Sequence, residues 1–133
     1  MSSLNFWMKF YNFQRKAMFL DLAHTKKDVF LSSKQFTLEC YRITKDFPSE
    51  ERFAMVSQIR RAALSTHLNI AEGCSRKSEA ERKRFFEIAR GSVIEVDTAL
   101  DIASDLHYKT KEDLQALGFH LISTFKQLCG LIG

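Results

Sequence analysis

The sequence predicts an all-α fold, an antiparallel up-and-down four-helix bundle, over residues 28–133. One proline and five glycines in 133 residues are too few turn residues for a β-sandwich or barrel. Apolar residues instead recur at steps of three and four along four segments joined by short connections, which is typical of amphipathic helices. Such helices bury their apolar faces by packing antiparallel around one core. A chain of this length has no room for a second domain.

The first helix is predicted from about Val29 to Asp46. Its apolar face consists of four residues at steps of four, three and four: Phe36, Cys40, Ile43 and Phe47. The helix is expected to end before Pro48, because proline disfavours helical geometry in the residue that precedes it.

The second helix is predicted to begin with Ser49 as its N-cap, because a serine side chain can accept an amide hydrogen bond there. Glu50 and Glu51 then lie in the first turn, where negative charge complements the helix dipole. The predicted buried face consists of Phe53, Val56, Ile59, Ala63 and Ile70. Gly73 is predicted to end the helix in a left-handed conformation, followed by a connection over residues 74–77.

The third helix is predicted to begin with a capping box formed by Ser78 and Glu81. Its predicted buried face consists of Phe85, Ala89, Ser92, Val96, Ala99, Ala103 and Leu106. Gly91 lies in the middle of this helix, at a cost of about 1 kcal/mol relative to alanine. We therefore expect Gly91 and Ser92 to be close-packing residues at a helix crossing.

The fourth helix is predicted to follow a break at Tyr108 and Lys109, with Thr110 as its cap. Its apolar stripe has regular helical spacing and consists of Leu114, Leu117, Leu121, Phe125, Leu128 and Ile132.

Residues 1–27 form a predicted N-terminal extension with five basic residues and one acidic residue. Apolar residues fall at helical spacing along it: Phe6, Phe10, Phe13, Ala17 and Leu20. Three interpretations remain open. The extension is an extra helix packed on the bundle, a segment that contacts a membrane surface or RNA, or sequence that precedes a true start near Met18.

Motifs typical of enzymes are absent from the sequence: it has no glycine-rich phosphate loop, no H-E-x-x-H, no nucleophile elbow and no paired acidic motif with metal-ligand spacing. Ser65 and His67 stand two apart on a helix, so their side chains point to different sides. We expect a non-enzymatic protein that needs no cofactor and no metal. His67 and His120 are expected to be hydrogen-bonded bundle residues.

Three cysteines, Cys40, Cys74 and Cys129, form no C-x-x-C pair, which argues against a disulfide framework and a zinc ribbon. This pattern fits the reducing cytoplasm. Cys40 and Cys129 lie on apolar stripes and are expected in the core, whereas Cys74 is expected to be more exposed. No apolar run is long enough to span a membrane.

Basic residues outnumber acidic ones by 20 to 16, for a net charge of +4, which favours polyanionic partners. The candidate RNA contacts are Arg60, Arg61, Arg76, Lys77, Arg82, Lys83, Arg84 and Arg90. Two interpretations of these residues compete. In the first, the charges solvate helix faces and pair with glutamates. In the second, they bind phosphates, which is favoured by the predominance of arginine and by the clustering of five charges between residues 76 and 84.

A composite motif starts with Q-I-R-R-A-A-L-S from Gln58 to Ser65 and continues with N-I-A-E-G from Asn69 to Gly73. It is completed by Arg76, Ser78, Arg84-Phe85, Gly91-Ser92 and Glu95. This pattern resembles the small bacterial proteins encoded in intervening sequences of 23S ribosomal RNA genes. Relatives of that family include the accessory variability proteins of diversity-generating retroelements.

The resemblance covers roughly Val29 to the C-terminus and implies a four-helix protomer that assembles into a homopentameric ring with a basic surface for nucleic acid. A second buried helix face in such a ring would explain apolar residues off the main stripes, namely Leu64, Leu68 and Phe86. We therefore expect self-association and RNA binding. The alternative is a scaffold that docks a protein such as the reverse transcriptase of the retroelement relatives.

Two polar residues of the motif are expected to have local roles near the end of the second helix. Asn69 is expected to bond across helices, and Glu72 is expected to pair with Arg76 or with an arginine of a neighbouring subunit. Together with Gly73, Gly91 and Ser92, they form the predicted structural part of the motif.

Overall fold

The computed structural model describes residues 17–20, 22 and 27–133. The predicted extension over residues 1–27 therefore lies largely outside the described residues, and the three interpretations of it stay open.

Four helices form the described fold: α1 (Asp28–Thr44), α2 (Met55–Ser75), α3 (Glu79–Asp105) and α4 (Gln115–Ile132). A 3-10 turn over Ser49–Glu51 lies between α1 and α2, and no strand occurs in the described ranges. Each helix packs against the next one along the chain, and α4 packs against α1. The predicted antiparallel four-helix bundle is thereby confirmed.

The core is built from most of the residues in the predicted apolar stripes. Leu106, predicted to be buried, is 50% exposed because it lies beyond the last turn of α3, and Val93 is buried although the predicted stripe omits it. Side chains with almost no exposed surface come from all four helices: Phe36, Cys40, Ile43, Ile59, Ile70, Val93, Val96, Leu117 and Leu128. Leu114, Phe125 and Ile132 pack partly buried against this cluster. Phe86 also belongs to the core, so the expectation that it lies off the main stripe is wrong.

The start of α2 differs from the prediction. Ser49 caps no helix, because Pro48 precedes a 3-10 turn in which the amides of Glu51 and Arg52 bond to the carbonyls of Pro48 and Ser49. α2 itself begins only at Met55. Phe53 therefore lies ahead of the helix and out of its register, and its side chain is 88% exposed rather than buried.

Gly73 does not end α2, which continues in right-handed geometry to Ser75. Gly73 is instead buried at the contact with α3. A Cβ atom on Gly73 would lie 2.8 Å from Cε1 of Phe86 and 3.1 Å from Cβ of Phe85. This glycine is therefore required for the close approach of α2 and α3.

The expectation that Gly91 is a close-packing residue is wrong. Gly91 is exposed, and a Cβ atom placed on it would meet no other atom within 4 Å. The expectation for Ser92 is confirmed, since its hydroxyl is buried and donates a hydrogen bond of 3.1 Å to Oγ of Ser65 in α2. The difference arises because Gly91 stands one position outside the buried stripe of α3.

Both ends of α3 have defined caps. The Oγ atom of Ser78 accepts the amide hydrogen of Glu81 at 3.1 Å, as the capping box predicts. At the other end, His107 adopts a left-handed conformation with φ of 64°. The amides of His107 and Tyr108 bond to the carbonyls of Ser104 and Ala103, which is the pattern of a Schellman motif.

The break at Tyr108 and Lys109 is confirmed, and it ties the α3–α4 connection to the α1–α2 connection. The ring of Tyr108 lies 5.6 Å from that of Phe47, and Nζ of Lys109 contacts Oδ1 of Asp46 at 2.6 Å. The hydrogen bond from Lys109 lowers the pKa of Asp46. Thr110 exchanges hydrogen bonds with Asp113, although α4 begins only at Gln115.

Candidate nucleic-acid interface

Five of the eight predicted RNA contacts lie together at one end of the bundle, where α2 ends and α3 begins. We call this set the basic end, and it consists of Arg76, Lys77, Arg82, Lys83 and Arg84. Arg76, Lys77 and Arg84 are exposed, while Arg82 and Lys83 are partly buried. Because the α2–α3 connection is short, all five residues lie either in the connection or in the first two helical turns of α3.

The connection is held in place by one of its own arginines. Nη1 of Arg82 donates hydrogen bonds to the backbone carbonyls of Arg76 at 3.0 Å and of Lys77 at 2.9 Å. Because carbonyl oxygens at a helix end lack intrahelical partners, the guanidinium stabilises the end of α2. Arg82 therefore has a structural role as well as a charge.

Ion pairing accounts for two members of the basic end. Arg76 contacts Glu72 at 3.3 Å, so the predicted pairing of Glu72 is confirmed, and Lys83 contacts Glu79 at 3.4 Å. Arg76 also lies over the ring of Phe85, with Cζ 5.0 Å from the ring centre. Such exposed i,i+4 pairs contribute only a few tenths of a kcal/mol, so both cations remain available to an anion.

The remaining exposed cations have no ion-pair partner within the described ranges. Lys77 and Arg84 make no salt bridge there, although Glu81 lies in the same first turn of α3. Lys27, which directly precedes α1, is a further cation. Burial raises the pKa of Cys74, and the positive charges of Lys27 and Arg82 oppose that rise. Lys27 and Arg82 therefore lie near the same thiol.

The other three predicted contacts lie elsewhere. Nε of Arg60 donates to Oγ1 of Thr44 at 2.9 Å, and Nη1 of Arg90 donates to Sγ of Cys129 at 3.8 Å. Arg61 is exposed on α2, well before the α2–α3 connection. These three residues therefore lie outside the basic end.

The family model described as 23S rRNA-intervening sequence protein matches residues 25–130 of this chain. The chain belongs to this family. Its fold is also that of a solved structure from Bacteroides thetaiotaomicron, a protein with unknown function from the S23 ribosomal protein family. The TM-score is 0.70 and the identity 23%, over 78% of this chain and 97% of that one. No curated protein matches the chain.

In this intervening-sequence protein, Asn69 does not bond across helices as expected. Its Nδ2 atom donates within α2, to the carbonyl and Oγ of Ser65 at 2.8 and 3.1 Å. The link between α2 and α3 is made by Ser92, which donates to the same Oγ atom. Asn69 therefore supports the interhelical hydrogen bond indirectly, by orienting Ser65.

The histidines and cysteines of this family member have mainly structural surroundings. Nδ1 of His67 lies 2.7 Å from Oγ of Ser33, so the predicted hydrogen-bonded role of His67 is confirmed. His120 instead contacts the ring of Phe119 edge-on. Cys40 is buried in the core as predicted, and burial raises the pKa of its thiol. Cys129 is only partly buried.

Neither a metal site nor a membrane span is found in the described part of the family member. No group of three or more histidine, cysteine or carboxylate side chains is placed to hold an ion there. Likewise, none of the described helices combines the length and the apolar character needed to cross a bilayer.

Proposed function

We propose that this protein is a cytoplasmic, non-enzymatic protein that binds structured RNA through the basic end. One observation carries the proposal: the α2–α3 connection presents clustered cations on a backbone that Arg82 holds in place. Fixed donors lose little conformational freedom on binding. Guanidinium groups also match the geometry of phosphate oxygens better than ammonium groups do.

Electrostatics supports the same proposal. Five basic and three acidic side chains lie between residues 72 and 84, and two of those acids, Glu72 and Glu79, are already paired. Lys27 adds a further positive charge near Cys74. The family name, which refers to a ribosomal RNA gene, is consistent with an RNA partner.

The test removes charge without disturbing the connection. Lys77→Gln with Arg84→Gln leaves every hydrogen bond of Arg82 in place, and we expect it to weaken binding to an RNA hairpin. Because bound phosphates release counterions, the slope of log affinity against log salt should flatten by about 1 for each lost contact. Fluorescence anisotropy across a salt titration measures both quantities.

A matched control changes the same charge elsewhere. Lys111→Gln with Lys126→Gln removes two exposed cations that lie before and within α4, outside the α2–α3 connection, and it should leave the slope close to that of the wild type. Equal affinity and equal slope for the wild type and for Lys77→Gln with Arg84→Gln would contradict RNA binding at this end. The scaffold that docks a protein partner would then be favoured.

We further propose that copies of the chain associate, as a homopentamer, through an apolar strip on α2 and α3. Leu64, Leu68 and Ile88 are each at least two-fifths exposed, and burying them against another copy would be favourable. Native mass spectrometry should give the mass of five chains, and Leu68→Glu with Ile88→Glu should give monomer. A wild-type monomer at micromolar concentration would contradict the ring.

A further inference from the structure

The α1–α2 side of the bundle carries an aromatic residue and basic residues that the basic end does not use. Lys34, Leu38, Tyr41 and Lys45 are spaced by four, three and four residues and so share one face along α1. Arg60 of α2 reaches this face: its Cζ lies 5.1 Å from the ring centre of Tyr41, and its Nη2 lies 3.4 Å from the carbonyl of Tyr41. The Tyr41 side chain remains 37% exposed.

A second ring lies in the α1–α2 connection, ahead of α2. Phe53 is 88% exposed, and Cζ of Arg52 lies 5.3 Å from its ring centre. We call Lys34, Tyr41, Lys45, Arg60 and Phe53 the aromatic face. Each of its two rings is therefore accompanied by a guanidinium group, and both kinds of planar group stack on unpaired bases.

The charges on this face are not neutralised by neighbouring carboxylates. Glu39 contacts Arg42 at 2.7 Å, and Asp46 contacts Lys109 at 2.6 Å, so these two acids have other partners. Lys34, Lys45 and Arg60 form no salt bridge within the described residues. Glu50 and Glu51 precede Phe53, so we assign no phosphate contact to that segment. Phe53 contributes base stacking only.

We propose that the aromatic face binds a single-stranded segment of RNA, with bases stacked on Tyr41 and Phe53 and phosphates near Lys34, Lys45 and Arg60. This inference rests on the proposed RNA binding at the basic end. Arg76 directly follows α2 and stands sixteen residues after Arg60, which corresponds to about 24 Å along the helix. An RNA hairpin at the basic end can therefore extend a single-stranded flank along α2.

Two RNAs separate the two surfaces: a hairpin, and the same hairpin with a single-stranded uridine extension. For the full chain we expect the extension to increase affinity, and Tyr41→Ala with Phe53→Ala to weaken binding of the extended RNA about tenfold. Binding of the plain hairpin should stay unchanged. The salt slope should also stay close to that of the wild type, because no cation is removed.

Two controls address folding and ring specificity. Tyr41→Phe keeps an aromatic ring beside Arg60 and should retain binding of the extended RNA. Phe119→Ala removes another largely exposed ring, on α4, and should have no effect on either RNA. If the double variant loses helicity by circular dichroism, Phe53→Ala alone gives the answer, because that side chain is almost fully exposed.

The outcomes distinguish this inference from the proposed function. Suppose that Lys77→Gln with Arg84→Gln loses hairpin binding while the aromatic variants bind the extended RNA as the wild type does. Binding of single-stranded RNA to the aromatic face is then contradicted, and RNA binding at the basic end is not. No gain of affinity from the uridine extension contradicts binding to the aromatic face as well. Unchanged hairpin binding in the charge variant overturns the basic end instead.

Discussion

Gly73→Ala is expected to destabilise the bundle by about 1–3 kcal/mol, although alanine is the better helix former. The added Cβ would lie 2.8 and 3.0 Å from Cε1 and Cδ1 of Phe86. That ring is itself buried in the core, so it has no free space into which to move. Urea denaturation should show a lower midpoint with an unchanged slope.

Gly91→Ala is the matched control, because it makes the same substitution in a helix interior with open space around it. It should raise the free energy of unfolding by about 0.5–1 kcal/mol, the propensity difference between the two residues. Gly118→Ala, also facing open space, should behave similarly. If Gly73→Ala were as stabilising as Gly91→Ala and Gly118→Ala, the inference that α2 and α3 leave no room for a side chain at Gly73 would be wrong.

Gly73 and Gly91 show that sequence periodicity predicts the buried faces of helices but not the points where two helices come into close contact. Periodicity identifies the buried stripes, since each stripe follows from the period of its own helix. It does not show which glycine faces a bulky neighbour, because that depends on the register between α2 and α3. The sequence pattern assigns the crossing to Gly91, while the Phe86 ring lies against Gly73.

The same distinction applies to the functional surfaces. The basic end is visible in the sequence because its five members lie within nine residues. The sequence does not indicate that Lys27 and Tyr41 belong to these surfaces. Packing of the helices places Lys27 near Cys74 and Tyr41 beneath Arg60. The sequence pattern assigns Phe53 to the core because it places the start of α2 at Ser49, whereas a 3-10 turn precedes the helix.

Thr124→Val is expected to raise the free energy of unfolding by about 1–2 kcal/mol. Thr124 in α4 is fully buried, and its Oγ1 atom has no hydrogen-bond partner within the part of the chain that the structure describes. A buried hydroxyl without a partner carries its full desolvation cost. Valine has nearly the same shape and a similar helix propensity, so the substitution removes the cost without leaving a cavity.

Thr66→Val provides the comparison that isolates the hydrogen bond. Thr66 in α2 is equally buried, but its Oγ1 donates to the carbonyl of Ala62 at 2.9 Å. Valine there should lower stability by about 0.5–1.5 kcal/mol, the net value of a hydrogen bond. The two sites match in burial, chemistry and helix environment. If the changes in the free energy of unfolding have opposite signs in thermal and urea denaturation, the difference in hydrogen bonding is therefore the cause. Destabilisation by both substitutions would mean that the hydroxyl of Thr124 has a partner in solution.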